Sequence, residues 1–237
     1  MSIELKGKVN SIQTLGTLDG PGVRFVVFMQ GCNLRCGCCH NPETWELDGG
    51  DGYTAAQLAE KAERYKEYFK ETGGITVSGG EPLLQAKFLA ELFSLCHKKG
   101  INTCLDTSGS ILNEDVKEAL EYTDRVLLDI KYTTDLQYKE YVGCSIEKPL
   151  LFLDYLSQKN IPVTLRQVII PTLNDNGENI KELKKLILKY PNIDKTELLP
   201  FKKICATKYD DLKIDFRFKD IPTPTKEQMK KLEELLV

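Results

Sequence analysis

VRFVVFMQGCNLRCGCCHNPETW, residues 23–45, joins an apolar run to a knot of cysteines. Apart from Arg24, Val23–Met29 is apolar, β-branched and aromatic, the composition of a strand. Directly after it come Cys32-x3-Cys36-x2-Cys39. Three thiolates this close together hold three corners of a [4Fe–4S] cube and leave the fourth iron without a protein ligand. An ordinary electron-carrying cluster takes four cysteines, so the missing one points to a small molecule bound at the open iron. Structural zinc draws four ligands from two separated pairs. Cys38 and His40 make up the number of donors, but adjacent side chains in so tight a loop converge poorly on a tetrahedron. A disulfide framework belongs to secreted chains, and the N-terminal stretch MSIELKGKVN lacks the apolar segment of a signal peptide.

Outward from this stretch, strand-like runs alternate with helical ones. The further strand runs are Ile75–Ser78, Thr103–Asp106, Val126–Ile130, Val163–Ile170 and Thr196–Pro200. Thr54-x-x-Gln57 reads as a capping box that opens a helix with Leu58, Ala62, Tyr65 and Phe69 on one face and Gly73 as its stop. The next helix carries Phe88, Leu89, Leu92, Phe93 and Cys96 and ends at Gly100. Asn113 starts another, Leu150–Gln158 and Ile180–Tyr190 follow, and Thr225-x-x-Gln228 caps a terminal helix. Repeated βα units imply a parallel sheet with right-handed crossovers. About six units are too few for the eight of a closed barrel. The expected fold is α/β, a partial (β/α)6 barrel, with an open doubly wound sheet as the alternative. Residues 1–237 are read as a single domain, and Lys202–Lys219 as an irregular loop over the open end.

Composition bounds the function. The formal charge of −3 leaves no basic footprint for nucleic acid. No apolar segment approaches the ~20 residues that span a bilayer. A cytoplasmic protein is expected, with Cys96, Cys104, Cys144 and Cys205 as buried or incidental thiols.

In barrels of this kind chemistry gathers at the C-terminal ends of the strands. Polar exceptions to the apolar runs fall there: Cys32 after the first, Ser78-Gly79-Gly80-Glu81 after the second, Asp106 and Thr107 at the third, Asp129 and Lys131 at the fourth. Lys202 follows the sixth, while Arg166 lies within the fifth. Glycines let backbone approach a ligand closely, Glu81 offers a carboxylate to an ammonium group, and Lys131 and Arg166 offer charge to a carboxylate or ribose. Asp106, Thr107 and Asp129 are hard oxygen donors suited to a small cation.

Cys-x3-Cys-x2-Cys is the pattern of the radical S-adenosylmethionine (SAM) enzymes, and Gly31–Trp45 resembles the glycyl-radical-enzyme activases among them, those of the pyruvate formate-lyase type. Ser78–Pro82 resembles the GGE motif. Asp19-Gly20-Pro21-Gly22 resembles the DGPG segment, whose aspartate lies near the partner peptide. His40 and Trp45 stand where the activase motif has them, and Glu197–Phe201 resembles the last-strand segment. The resemblance implies a [4Fe–4S] cluster on Cys32, Cys36 and Cys39, and SAM held by Cys38, Ser78, Gly79, Gly80, Glu81, Asp129, Lys131, Arg166 and Lys202. It implies a monovalent cation on Asp106, Thr107 and Asp129, and a partner peptide against Asp19 and His40. Reductive cleavage of SAM would give a deoxyadenosyl radical that takes a hydrogen atom from a glycine Cα of pyruvate formate-lyase. Reduced flavodoxin or ferredoxin would supply the electron.

Three positions depart from the pattern. Cys38 stands where an aromatic packs near the adenine, Lys202 where histidine is common, and Leu127 where methionine stands. Two other readings stay open: an activase of another glycyl radical enzyme, and a radical SAM enzyme acting on a small molecule. Glu46–Gly73 lacks the cysteine-rich insert of several other activases, and the Asp19 segment speaks against a small substrate. An electron carrier has no use for Gly79-Gly80-Glu81 or Arg166.

Overall fold

The computed structural model describes residues 5–236; the first four residues, part of the stretch read for a leader, and the last lie outside them. The chain packs as two compact units. The first comprises the residues up to Asn33 with Thr44–Leu127, and the second Leu34–Glu43 with the residues from Leu128 on.

In the first unit the order is β1 (Lys6–Gly16), β2 (Arg24–Met29), β3 (Asp51–Thr54), α1 (Ala55–Glu63), α2 (Lys66–Phe69), β4 (Gly74–Gly79), α3 (Ala86–Lys98), β5 (Asn102–Thr107), α4 (Glu114–Leu120) and the start of β6 (Arg125–Asp129). Its strands lie side by side as β3-β1-β2-β4-β5-β6. β2 pairs in parallel with β4, and β4 with β5, while β1 runs antiparallel to both β2 and β3. Parallel strands are covered on both faces and therefore read as unbroken apolar runs. The sequence RFVVFM of β2 is buried at five of its six positions. Phe25, Ile75, Val77 and Leu105 of the strands and Leu89, Leu92 and Phe93 of α3 belong to the core, each at most 1% exposed. Full burial of such a side chain stabilises by about 1.5–3 kcal/mol.

The Thr54 capping box is present. The helix it opens, however, ends at Glu63 rather than running on through Tyr65 and Phe69. Tyr65 N–H bonds back to the Ala62 carbonyl and Tyr68 N–H to that of Tyr65, three-residue spacings that tighten the chain into a turn. The turn frees the Tyr65 ring to meet Phe25 at 5.7 Å, and α2 then buries Phe69.

The second unit holds the cysteine loop Leu34–Glu43, the end of β6, α5 (Asp135–Tyr141), α6 (Glu147–Gln158), β7 (Val163–Ile169), α7 (Gly177–Lys189), β8 (Ile193–Pro200), α8 (Ala206–Leu212) and α9 (Lys226–Leu236). Its strand order is β6-β7-β8, with β7 and β8 parallel. Leu128, Ile130, Phe152, Leu156, Leu165, Leu183 and Phe201 form its core. Pro149 is accommodated in the first turn of α6, where a missing N–H is harmless. The segment read as an irregular loop, Lys202–Lys219, contains α8. Its apolar residues Tyr209, Phe216 and Phe218 are buried, and the Tyr209 and Phe216 rings stack at 4.6 Å.

Candidate active site

All eight cysteines are free of disulfides. Cys32, Cys36 and Cys39 are partly exposed, whereas Cys38, Cys96, Cys104, Cys144 and Cys205 are buried. The accessible thiols are thus the three of the motif. Among the described residues, no group of three His, Cys, Asp or Glu side chains is gathered as a site for one metal ion. A mononuclear site needs its donors around one point, while a cube takes each thiolate on its own iron.

In the first unit, the residues before Cys32 are zipped to those after β4. Gly80 N–H donates to the Met29 carbonyl at 2.9 Å and Glu81 N–H to the Gly31 carbonyl at 2.8 Å. A Cβ on Gly80 would stand 2.1 Å from the Gly31 oxygen, and Gly79 sits at φ +103°. Only glycine fits either position. Cys32 N–H reaches back to the Trp45 carbonyl at 3.4 Å, and Gly31 N–H to that of Thr44 at 2.8 Å.

Glu81 is held by the protein itself. It is 1% exposed, and its carboxylate accepts from Leu83 N–H at 3.2 Å, the Thr107 hydroxyl at 2.6 Å, Ser108 N–H at 3.0 Å and the Ser108 hydroxyl. Burial pushes its carboxyl above the usual range, and the Ser108 and Thr107 hydrogen bonds act the other way. Four donors thus engage this carboxylate. Glu81 ties the turn after β4 to the end of β5. The Thr107 hydroxyl also accepts from Gly109 N–H at 3.0 Å, which leaves one of its two lone pairs. Ser78 donates to Asp106 at 2.8 Å.

Asp19 lies in the turn between β1 and β2, partly exposed, and Thr76 of β4 donates to its carbonyl at 2.7 Å. The fully buried Arg24 fixes the turn from below. Its Nε donates to Thr76 Oγ1 at 2.9 Å, and its Nη atoms to Asn102 Oδ1 at 2.9 Å and to the carbonyls of Pro21, Thr72 and Ile75. Gly22 turns at φ +67°, where a Cβ would meet Gly73 N at 2.6 Å.

In the second unit, Lys131 Nζ lies 3.0 Å and Arg166 Nε 3.5 Å from the Asp129 carboxylate. The three side chains are 14–22% exposed. Burial pushes the Asp129 carboxyl up, but Lys131 and Arg166 outweigh it and hold it below its usual range. Burial pushes Lys131 down, and the Asp129 charge more than reverses this, leaving it well above its usual value. Two cations and one anion leave a net positive charge, suited to a carboxylate ligand.

Cys38 is 8% exposed, and burial pushes its thiol up to about 11. His40 bonds through its ring to the Lys202 carbonyl at 3.0 Å, and burial lowers its pKa. Lys202 itself is exposed. Two residues not foreseen from sequence hold the loop after the third cysteine. Lys208 of α8 donates to the His40 carbonyl at 3.1 Å, to Asn41 Oδ1 at 3.0 Å and to Glu43, and Tyr209 donates to the Cys39 carbonyl.

Comparison with known proteins bears on these features. The model of the Radical SAM superfamily matches residues 26–194. The chain is 44% identical over 231 residues to the pyruvate formate-lyase-activating enzyme of Clostridium pasteurianum, covering 97% of each chain. It is 37% identical over 233 residues to the pyruvate formate-lyase 1-activating enzyme of Escherichia coli strain K12, covering 97% of this chain and 95% of that one. Among solved structures, Streptococcus suis SuiB bound to the precursor peptide SuiA is similar at a TM-score of 0.69 and 16% identity, over 88% of this chain and 44% of that one. That likeness carries the fold, an α/β radical SAM architecture with an open parallel sheet.

Proposed function

Because the chain belongs to the radical SAM superfamily, within the family of pyruvate formate-lyase-activating enzymes, we propose that it installs a glycyl radical on pyruvate formate-lyase. When bound, a reduced [4Fe–4S] cluster would supply the electron for cleaving SAM, the chemistry needed to remove a hydrogen atom from a glycine Cα of the partner. The single observation that carries the reading is full-length identity of 44% to an enzyme of that name.

The chain's own residues fit this chemistry. By their spacing, Cys32, Cys36 and Cys39 are the cluster ligands, and they are the accessible thiols. The Gly79-Gly80 backbone, packed on Met29 and Gly31, is the proposed seat for the methionine end of SAM. Lys131, with Arg166 beside it, attracts the SAM carboxylate, and Asp129 keeps the Lys131 ammonium charged and in place. Ser78, Cys38 and Lys202 complete the proposed SAM set, and His40 with Asp19 the peptide side. Asp106, Thr107 and Asp129 are the proposed donors to a monovalent cation. The chain is proposed to act as one radical SAM domain, supported by a family match that runs through both units. Reduced flavodoxin or ferredoxin is the proposed electron donor and the cytoplasm the proposed compartment. No described helix is long and apolar enough to cross a membrane.

The test is electron paramagnetic resonance on anaerobically reconstituted protein, reduced with SAM and pyruvate formate-lyase present. A glycyl-radical doublet on the partner with deoxyadenosine formed alongside is expected. A SAM-responsive cluster with no radical on the partner would reassign the substrate.

A further inference from the structure

Tyr132 follows Lys131 at the exit of β6 and is 1% exposed, yet its hydroxyl has no hydrogen-bond partner. Leaving a phenol hydroxyl dry and unpaired costs about 1–3 kcal/mol, and a phenylalanine would fill the same space without that cost. A buried donor kept under such a penalty needs an acceptor that the polypeptide alone does not provide.

The surroundings say which one. The Tyr132 ring lies 5.4 Å from that of Tyr141 and meets Tyr138 edge-on at 6.4 Å. The Tyr138 hydroxyl is engaged, accepting from Lys131 N–H at 3.0 Å. The end of α5 is stapled to the cysteine loop: Gly37 N–H donates to the Tyr141 carbonyl at 2.9 Å and Arg35 N–H to that of Val142 at 3.2 Å. Gly37 is also pressed on Phe218, where a Cβ would come within 2.5 Å of the ring, and Phe218 packs on Tyr141 at 5.7 Å. Tyr132 and Cys36-Gly37-Cys38 are therefore held on the same support. Burial raises the phenol's pKa first, and the Cys38 and Cys36 sulfurs raise it further while Lys131 opposes them. The hydroxyl thus keeps its proton.

We infer that the Tyr132 hydroxyl donates a hydrogen bond to a sulfur on the Cys36 side of the bound cluster and so sets how readily that cluster is reduced. Tyr132 is a tuning residue and touches no reacting atom. Reduction adds one negative charge to the cluster, and a hydrogen bond to its sulfur favours the more negative state, raising the potential. The inference rests on the cluster being held by Cys32, Cys36 and Cys39.

The experiment is an anaerobic potentiometric titration, followed by electron paramagnetic resonance, of the full chain reconstituted with iron and sulfide. Tyr132→Phe keeps the ring contacts and is expected to disfavour reduction about tenfold, a fall of about 59 mV for one electron. Tyr132→Gln retains a donor and is expected to fall less. In the wild type, a cluster Fe–S vibration should shift in deuterated water, and Tyr132→Phe should lose that shift. Equal midpoints in clusters assembled on the wild type and Tyr132→Phe would overturn the inference and leave the proposed function standing. So would a wild-type cluster with no deuterium-sensitive vibration. Failure of the wild type to assemble any cluster would instead overturn the proposed function, and this inference with it.

Discussion

The Tyr209 hydroxyl donates a hydrogen bond of 3.1 Å to the carbonyl oxygen of Cys39. With Lys208 on His40, Asn41 and Glu43, it fastens the loop behind Cys39 to α8. Each such bond contributes about 1 kcal/mol, more where an ammonium donates. Lys208→Met is expected to release iron to a chelator several-fold faster than the wild type, with Tyr209→Phe intermediate. Iron release timed by absorbance under anaerobic conditions measures this. Equal rates for all three proteins would show that the fastening does not retain the cluster.

Glu81→Gln separates the two parts assigned to that residue. An amide replaces two acceptor positions with donors facing the donors of the Thr107 and Ser108 segment. Stability should fall by about 1–3 kcal/mol, the cost of leaving buried polar groups unmatched. Chemical denaturation of the cluster-free protein gives the number. Unchanged stability with weakened SAM binding would favour the ammonium-binding part.

Asp129→Asn leaves Lys131 and Arg166 without their counter-charge. The expected loss is about 3 kcal/mol, accompanied by altered SAM affinity. The pH dependence has a definite sign. The folded-state carboxyl lies below its ordinary range, so its stabilisation is full above about pH 4. It disappears as the pH falls through the folded-state value. Melting curves of wild type and variant should therefore stay apart by a constant interval from pH 5 to 8 and converge in acid. A gap that widened on acidification would refute the pairing.

Asp19→Ala should slow radical transfer to the partner more than SAM cleavage alone. Thr76→Val, which removes the hydrogen bond to the Asp19 carbonyl, should show the same asymmetry to a lesser degree, through the Michaelis constant for the partner. Both reactions are followed in one assay by deoxyadenosine and by spin count. Equal losses in the two would remove the Asp19 turn from the partner side.

Alkylation of the cluster-free native protein should mark Cys32, Cys36 and Cys39 first. Cys38, 8% exposed, should react no faster than Cys96 or Cys104, although it sits inside the motif. Peptide mass spectrometry after brief iodoacetamide exposure decides it. Early labelling of Cys38 would contradict its burial.

Much of the architecture was legible because buried parallel strands carry unbroken apolar runs. All six predicted runs are strands, with no end displaced by more than three residues. β1 was missed for the opposite reason. In KGKVNSIQTLG only Gly7, Val9 and Gly16 are buried, so the alternation is too weak to mark it. β3 holds an Asp-Gly pair that reads as a turn. α5 buries only Tyr138, yet Thr134, whose hydroxyl accepts from Gln137 N–H at 3.3 Å, is a cap signal that was available. The motif residues could be read because the chemistry demands their spacing. Lys208, Tyr209, Ser108 and Tyr132 could not, because their partners are set by tertiary packing. The committed carboxylate of Glu81 escaped for the same reason, since Ser108 lies 27 residues away.

The backbone zipper between Gly31 and Glu81, with Gly80 pressed on the Gly31 oxygen, makes two distant loops a single transplantable cassette. The segment Met29–Gly31 cannot be exchanged with that of another enzyme, lengthened, or diversified in a library unless the Gly79-Gly80-Glu81 turn is exchanged with it. Mutations surviving in one should therefore be accompanied by compensating changes in the other, and recombination breakpoints placed between residues 31 and 79 should be poorly tolerated.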